Sequence, residues 1–285
     1  MTKKVAAIND LSGAGRCSLT VALPILSTFG VHVFPMPTAI LSNQTGYDSF
    51  YIYDFTDKMD NFTYQWKKME LEFDGIYTGF IASCRQVDKI EEFIKIFKKK
   101  DTLLIIDPIM GDDGAVYPNF NSELREKITK LAFQADIITP NLTEFCILTG
   151  TNYKELISKS DQDNFLDITA ECGKKLIRGN VKRAVITGIR HRGRGDSEDM
   201  FYNIVISEGK TYFIKSEITG GSYSGTGDIL SSIICAMSVK GYDLKYAGEV
   251  AVKFIGASIK DSYNENTDRR AGVNFEKYLW MLNGK

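Results

Sequence analysis

No stretch of 18 consecutive apolar side chains occurs in this chain of 285 residues, so no membrane-spanning helix is expected. There is no excess of charge either. The 35 Lys+Arg stand against 36 Asp+Glu, for a net charge of -1. That balance argues against a dedicated nucleic-acid binder, which would carry a basic face, but it leaves room for a local anion site. Cysteine is scarce: Cys17, Cys84, Cys146, Cys172 and Cys235 are odd in number, and none are at C-x-x-C spacing. Disulfide frameworks and metal fingers are excluded, and reduced thiols in the cytoplasm are the expectation. The two histidines, His32 in a strand-like run and His191 in a loop-like one, have no ligand-spaced partner, so neither reads as a metal ligand. Trp66 and Trp280 read as packing residues. Before Asn9 the apolar run Val5–Ile8 is too short for a signal-peptide core. No Pro/Gly/Ser-rich linker and no internal repeat divides the chain, so residues 1–285 are read as one domain. Apolar residues at 44% and charged ones at 25% are those of an ordinary globular protein.

What is present is an alternation of strand-like and helix-like segments. Strand-like runs are Val5–Ile8, Val31–Met36, Asp74–Tyr77, Thr102–Ile106, Asp136–Thr139 and Arg183–Thr187. Helical patterns cover Cys17–Phe29, a stretch opened by the capping box Ser83-x-x-Gln86, Leu124–Ala135 and Phe165–Ile177. Strands apolar throughout are buried on both faces, which predicts a parallel sheet built from βαβ units. The pattern then changes. Tyr202–Ser207 and Thr211–Ser216 read as a hairpin, and two helices follow over Asp228–Val239 and about Leu244–Ser262. Ile189–Asp199 and Asn264–Gly272 look mobile, and Arg194-Gly195-Asp196 reads as a chance loop triplet.

The most informative stretch is Gly220-Gly221-Ser222-Tyr223-Ser224-Gly225-Thr226-Gly227-Asp228, which leads straight into an apolar helix. Glycine allows close approach of the backbone to a ligand. A helix N-terminus adds unpaired N–H groups and a positive dipole end. Together they suit a phosphate. An acid at such a mouth repels the ligand, a cost that makes sense if Asp228 takes a proton from a nucleophile attacking phosphorus. Read alone, the same residues also describe an Asp cap after a glycine turn. No G-K-[ST] follows, so this is not a Walker A loop, and its late position is wrong for a dinucleotide fingerprint.

Other polar residues cluster at predicted strand ends. Asp107 opens Asp107-Pro108-Ile109-Met110-Gly111-Asp112, Thr139 and Asn141 end the next strand with Glu144 three residues on, and Thr187-Gly188 end the one after. Ligands of open parallel sheets sit at the carboxyl ends of the strands. Asp107, Asp112 and Glu144 are candidates for Mg2+, and Thr187 for a phosphate. Asn141 and Glu144 equally have the spacing of a capping box. Ser12-Gly13-Ala14-Gly15, Ser42-Asn43-Gln44-Thr45-Gly46-Tyr47 and Tyr77-Thr78-Gly79-Phe80 are loops of the same edge. Their small polar groups and an aromatic suit a flat polar ring, or plain turn chemistry.

Gly225-Thr226-Gly227-Asp228 resembles the glycine motif of the ribokinase-like superfamily of small-molecule kinases. The stretches starting at Asp107, Ile137 and Ser42 resemble the vitamin B6 branch, the pyridoxal/pyridoxine/pyridoxamine kinases. The resemblance implies an α/β three-layer fold: a mostly parallel central sheet, helices on both faces, and a β-hairpin near the nucleotide site. It implies ATP-dependent phosphorylation of a 5′-hydroxymethyl group. Asp228 would be the base, and the amides of Gly225, Thr226 and Gly227 the anion hole. Asp112, Asn141, Glu144, Thr187, Gly188 and Thr226 would line ATP and Mg2+. Asp107, Thr139 and Glu144 would hold a metal ion, in the family often a monovalent one (K+ or Na+). Ser12, Asn43, Thr45, Phe80, Tyr117 and Asp228 would meet the B6 vitamer. The hairpin and Ile189–Asp199 would cover ATP. A cytoplasmic homodimer is implied, with neither membrane nor nucleic acid as partner. The chain has Gln44 where many relatives have His, Phe80 where they often have Tyr, and Asn9-Asp10 where Gln-Ser is common. A hydroxymethylpyrimidine kinase and a catalytically silent vitamer binder are the alternatives.

Overall fold

The computed structural model describes residues 1–118, 120–193, 200–217 and 220–284. Its strands are β1 (Lys4–Ser12), β2 (His32–Leu41), β3 (Ile52–Asp54), β4 (Gly75–Thr78), β5 (Leu103–Ile106), β6 (Gly111–Asp112), β7 (Ala115–Val116), β8 (Ile137–Ile138), β9 (Arg183–His191), β10 (Met200–Ser207) and β11 (Lys210–Glu217). The helices are α1 (Ser18–Thr28), α2 (Thr56–Lys68), α3 (Cys84–Phe97), α4 (Ser122–Ala132), α5 (Leu142–Thr149), α6 (Tyr153–Ile157), α7 (Phe165–Gly173), α8 (Thr226–Val239) and α9 (Leu244–Asn264). One sheet has the order β11-β10-β9-β8-β5-β4-β1-β2-β3, and β6-β7 form a separate ribbon. From β9 to β2 every pairing is parallel; β3, β10 and β11 are antiparallel additions at the edges.

Side chains alternate across a strand, so the central strands feed two cores at once. Ala6, Ile8, Ile76, Leu104, Ile106, Ile138, Ala184 and Ile186 pack with α3, α4, α5 and α7 residues such as Phe93, Leu131, Phe145 and Phe165. Val5, Ala7, Tyr77, Ile105, Ile137 and Val185 pack on the other face with Ile25 of α1, Ile233 of α8 and Phe254 of α9. This is the three-layer α/β arrangement. Its largely parallel sheet puts one row of strand ends on one edge.

Several elements differ from expectation. β1 continues past Ile8 to Ser12, and β2 runs through Pro35 and Pro37 to Leu41. His191 is not in a loop: it closes β9, is buried, and sets Nδ1 2.7 Å from the Ser160 carbonyl. Trp66 packs among the rings of Phe34, Phe62, Phe73 and Phe93, whereas Trp280 is 71% exposed. Residues 194–199, with the Arg194-Gly195-Asp196 triplet, lie outside the described residues. Among the described residues no helix is long and apolar enough to cross a membrane. All five cysteines are unpaired.

The capping box at α3 is only half formed. Ser83 accepts from the Gln86 N–H, but the Gln86 amide does not return to Ser83. It is fully buried, accepts from Ala82 N at 2.8 Å, and donates to the Thr38 carbonyl at 2.7 Å and Thr56 Oγ1 at 2.9 Å. One side chain thus ties α3 to β2 and to the start of α2. Truncation would strand the Ala82 N–H, at about 1–3 kcal/mol, whereas the Thr38 carbonyl keeps Phe55 N and the Thr56 hydroxyl keeps Asp54. Gln86→Ala is therefore expected to lower unfolding stability by about 1–3 kcal/mol, measured by urea denaturation.

Candidate active site

Gly225 caps α8 in a left-handed conformation, φ +80, and a Cβ there would lie 1.9 Å from the Arg16 carbonyl oxygen. Only glycine satisfies both conditions. The contact seats the N-terminus of α8 on the loop between β1 and α1. The first N–H groups of a helix have no intrahelical partner, so the amides of Gly225, Thr226 and Gly227 fall where an anion is best received. Thr226 turns its hydroxyl away, onto the Tyr223 carbonyl at 3.1 Å.

Asp228 is the third residue of the same turn and is buried. Asn9 Nδ2 donates to its Oδ1 at 3.2 Å, and the Ser18 backbone N–H also donates to it. Burial pushes its pKa up to about 6 and the charge of Asp10 adds to the rise, while the Ser18 and Asn9 hydrogen bonds oppose it. Ser18 itself has φ +52 and gives its hydroxyl to Asp10 Oδ1. A non-glycine residue in that region is strained; here it bridges two buried carboxyls from different elements.

One turn further along α8, Ser231 donates to Asp107 Oδ2 at 3.0 Å and meets Thr139 Oγ1 at 2.8 Å. Asp107 follows β5 and Thr139 follows β8, so α8 reaches both strand ends. Burial and the nearby Asp228 hold the Asp107 carboxyl well above the usual range. Glu144, in the first turn of α5, accepts from Asn141 N at 2.8 Å and Met110 N at 3.1 Å. Burial and Asp107 raise its pKa as well. The expected capping box is complete: Asn141 Oδ1 accepts from Glu144 N at 2.9 Å. The Asn141 amide donates to the Gly111 carbonyl at 2.8 Å, which anchors the ribbon carrying exposed Asp112. Thr187 and Gly188 lie in a bulge of β9, where Gly188 N donates to Asn203 Oδ1 at 3.3 Å. None of Asp10, Asp107, Asp112, Glu144 and Asp228 pairs with a described basic residue. Among the described residues no three His, Cys, Asp or Glu side chains converge as a metal cage. The donors that do meet are hard oxygens, suited to Mg2+ or an alkali ion with phosphate or water completing the shell.

On the ring side, Ser12 is buried and its hydroxyl donates to Asp10 Oδ2 at 3.0 Å, so it braces an acid. Asn43 is committed to the loop, donating to the Ser49 carbonyl at 2.9 Å. Thr45 is exposed, and its neighbour Gln44 makes the cross-links. Phe80 and Tyr117 flank Phe120, with ring centroids 6.2 and 6.0 Å apart. Burial, then Glu144, Asp112, Asp107 and Asp228, hold the Tyr117 phenol above its ordinary pKa. Sequence pattern alone does not bring Asn9, Asp10, Ser18 and Ser231 together: Asn9-Asp10 stands out only as a departure from a pattern, and Ser231 only by its place one helical turn after Asp228. Between β11 and α9 lies an open groove of about 540 Å³ with Ile214, Ser216, Val252, Lys253 and Lys260 among its walls.

Residues 23–272 match the family model described as phosphomethylpyrimidine kinase. A pyridoxine kinase of Bacillus subtilis is 31% identical over 198 residues, 68% of this chain and 66% of that protein. A crystal structure from Bacteroides thetaiotaomicron, a candidate phosphomethylpyrimidine kinase holding pyridoxal, is 36% identical, with TM-score 0.84 over 99% of this chain and 96% of that one. The pyridoxal kinase structure from Lactobacillus plantarum is 27% identical, with the same TM-score and coverage.

The Asp228 carboxyl has a stability consequence. Its ordinary pKa is 3.8 and its folded value about 6. Between these values the native state keeps a proton that the unfolded chain has lost, so stability falls as pH rises through that window. The penalty persists above it, at about 3 kcal/mol. Asp228→Asn is expected to raise unfolding stability by about 1–3 kcal/mol near neutral pH and to change it little near pH 4. Urea denaturation at the two pH values checks this.

Proposed function

The chain belongs to the phosphomethylpyrimidine kinase family of ribokinase-like fold, and from that premise we propose that it transfers the γ-phosphoryl group of ATP to the 5′-hydroxymethyl group of a B6 vitamer. The observation that carries this reading is the buried Asp228 in the first turn of a helix whose leading amides are open. The substrate hydroxyl gives its proton to Asp228 as its oxygen attacks the γ-phosphorus in line, and ADP departs. The amides of Gly225, Thr226 and Gly227 take the charge that grows on the equatorial oxygens. A pKa near 6 suits the base: it is ionised at neutral pH yet still binds a proton well.

Pyridoxal, pyridoxine and pyridoxamine are favoured as acceptors by Ser42–Tyr47 and by the pyridoxal held in the Bacteroides structure. Ser12, Asn43, Thr45, Phe80 and Tyr117 are the proposed ring surroundings. Asp112, Asn141, Glu144, Thr187 and Gly188 are the proposed surroundings of the ATP phosphates, and the groove beside β11 the proposed seat of its base, supported by apolar Ile214 and Val252 with Lys253 at its wall. Asp107, Thr139 and Glu144 are proposed to hold a cation, Mg2+ with Asp112 or a monovalent K+ or Na+, a reading supported by acids with no described basic partner. Mg2+ there would neutralise phosphate charge. One domain over 1–285 is proposed, supported by the continuous sheet. A homodimer is proposed, supported by the exposed row Phe50, Tyr51, Ile52 and Tyr53 at the sheet edge. Cytoplasmic residence is proposed, supported by the five unpaired thiols.

The name of the family model, with Ser12-Gly13-Ala14-Gly15, favours a second reading, a hydroxymethylpyrimidine kinase. ADP release with each B6 vitamer and with hydroxymethylpyrimidine separates the two. A B6 vitamer is expected to give the highest kcat/KM, and Asp228→Asn to lower kcat by about 10²–10⁴-fold. A higher kcat/KM on hydroxymethylpyrimidine selects the second reading, and a variant within about threefold of wild type removes Asp228 as the base.

A further inference from the structure

The stretch Asn264–Gly272 looked mobile in the sequence, but its carbonyls are engaged. Asp268 caps a 3-10 turn over Arg269–Ala271. Three consecutive carbonyls then each accept from a different loop of the site. Arg269 O takes the Ser224 N–H at 3.0 Å, in the glycine-rich loop. Arg270 O takes the Gln44 amide at 2.9 Å, in the ring-side loop. Ala271 O takes the Arg16 N–H at 3.0 Å, in the loop on which Gly225 rests.

The Arg269 side chain folds back along the same glycine-rich loop. Its Nη1 donates to the Ser222 carbonyl at 3.3 Å, and its guanidinium stands 5.6 Å from the Tyr223 ring centroid. A Cβ on Gly221 would lie 2.4 Å from Nη1, so the bare backbone is what admits the guanidinium. Arg269 therefore meets Gly221, Ser222, Tyr223 and Ser224, the four residues before Gly225. The Arg270 guanidinium turns the other way, to Asp268 and the Tyr47 ring.

Gly220 and Gly221 both have positive φ and carry the large conformational freedom of glycine. An anion hole works only if its donors are fixed where charge will develop, before the reaction starts. Something must hold the loop leading into that hole.

We propose that Arg269 is a positioning residue for phosphoryl transfer, clamping Gly221–Ser224 through its guanidinium and carbonyl so that the open amides at the start of α8 are fixed relative to the ring-side loops. The proposal rests on the phosphotransferase reading above.

The test compares wild type, Arg269→Ala and Arg269→Lys. Three quantities are read: kcat and KM with pyridoxal and MgATP, calorimetric binding of ADP with its stoichiometry, and binding of ADP with aluminium fluoride and pyridoxal, a mimic of the group in flight. Arg269→Ala is expected to lower kcat about tenfold and weaken the mimic by a similar factor. ADP alone should keep its stoichiometry and bind within about twofold of wild type, because only the in-flight group needs the fixed amides. Arg269→Lys should recover part of the loss, since it restores one charged donor but not the planar fork. A kcat within about twofold of wild type in Arg269→Ala overturns the proposal, as does equal weakening of ADP and the mimic, which marks general loosening. If wild type turns over neither the vitamers nor hydroxymethylpyrimidine, the phosphotransferase reading falls and the clamp falls with it.

Discussion

The approach of Gly225 to the Arg16 carbonyl is the contact on which the arrangement of the site depends. A single methyl group there would collide with main chain, which has no side-chain freedom to yield. Because nothing stands between them, the first turn of α8 sits directly on the loop after β1. Asp228 then falls within reach of Asn9 and Ser18, and Ser231, a turn later, reaches Asp107 and Thr139. Asn9 extends the link: its Oδ1 accepts from Phe80 N and Asp10 N. The ends of β1, β4, β5 and β8 are thereby held to one helix. A parallel sheet alone would align these ends only loosely.

The same packing gathers carboxyls where water is scarce. Asp10, Asp107, Glu144 and Asp228 are all buried, and hydroxyls or backbone N–H groups partner each of them in place of a described lysine or arginine. Each acid raises the proton affinity of its neighbours, with burial the larger cause. Such a cluster costs stability when it stands alone. In the kinase reading the cost is offset on binding, because cations and a reacting hydroxyl supply what the acids lack. In the same reading the phosphate is received by amides at a helix start, not by a basic patch, which would explain how a phosphate-handling chain has a net charge of -1.

Much of this was readable from residue pattern, for reasons that are physical. Strands buried on both faces are apolar along most of their length, so the runs in Thr102–Ile106 and Arg183–Thr187 point to a parallel sheet. Asn141 and Glu144 read equally as a capping box and as site residues, and they form the capping box. Other features were hidden. The strand read over Val31–Met36 stops before Pro37, whereas β2 runs on to Leu41; it meets β3 only from Ala39 onward, so over Pro35 and Pro37 one side of β2 is open and a missing donor costs nothing. The helix over Thr56–Lys68 was not foreseen, because only Thr56 and Met59 of it are buried and its apolar face is thin. Ser18 and Ser231 matter through partners far away in sequence, Asp228 for the first and Asp107 with Thr139 for the second. The clamp at Arg269 depends on three loops that no spacing rule brings together.

The central claim is that a buried carboxyl at the start of α8 takes the proton of the acceptor hydroxyl. The pH dependence of kcat/KM, which reports the groups of the enzyme before substrate binds, tests this most directly. The account predicts an acid limb of unit slope with its midpoint near the value of about 6 held by Asp228. A kcat/KM that stays flat down to about pH 5 would contradict it.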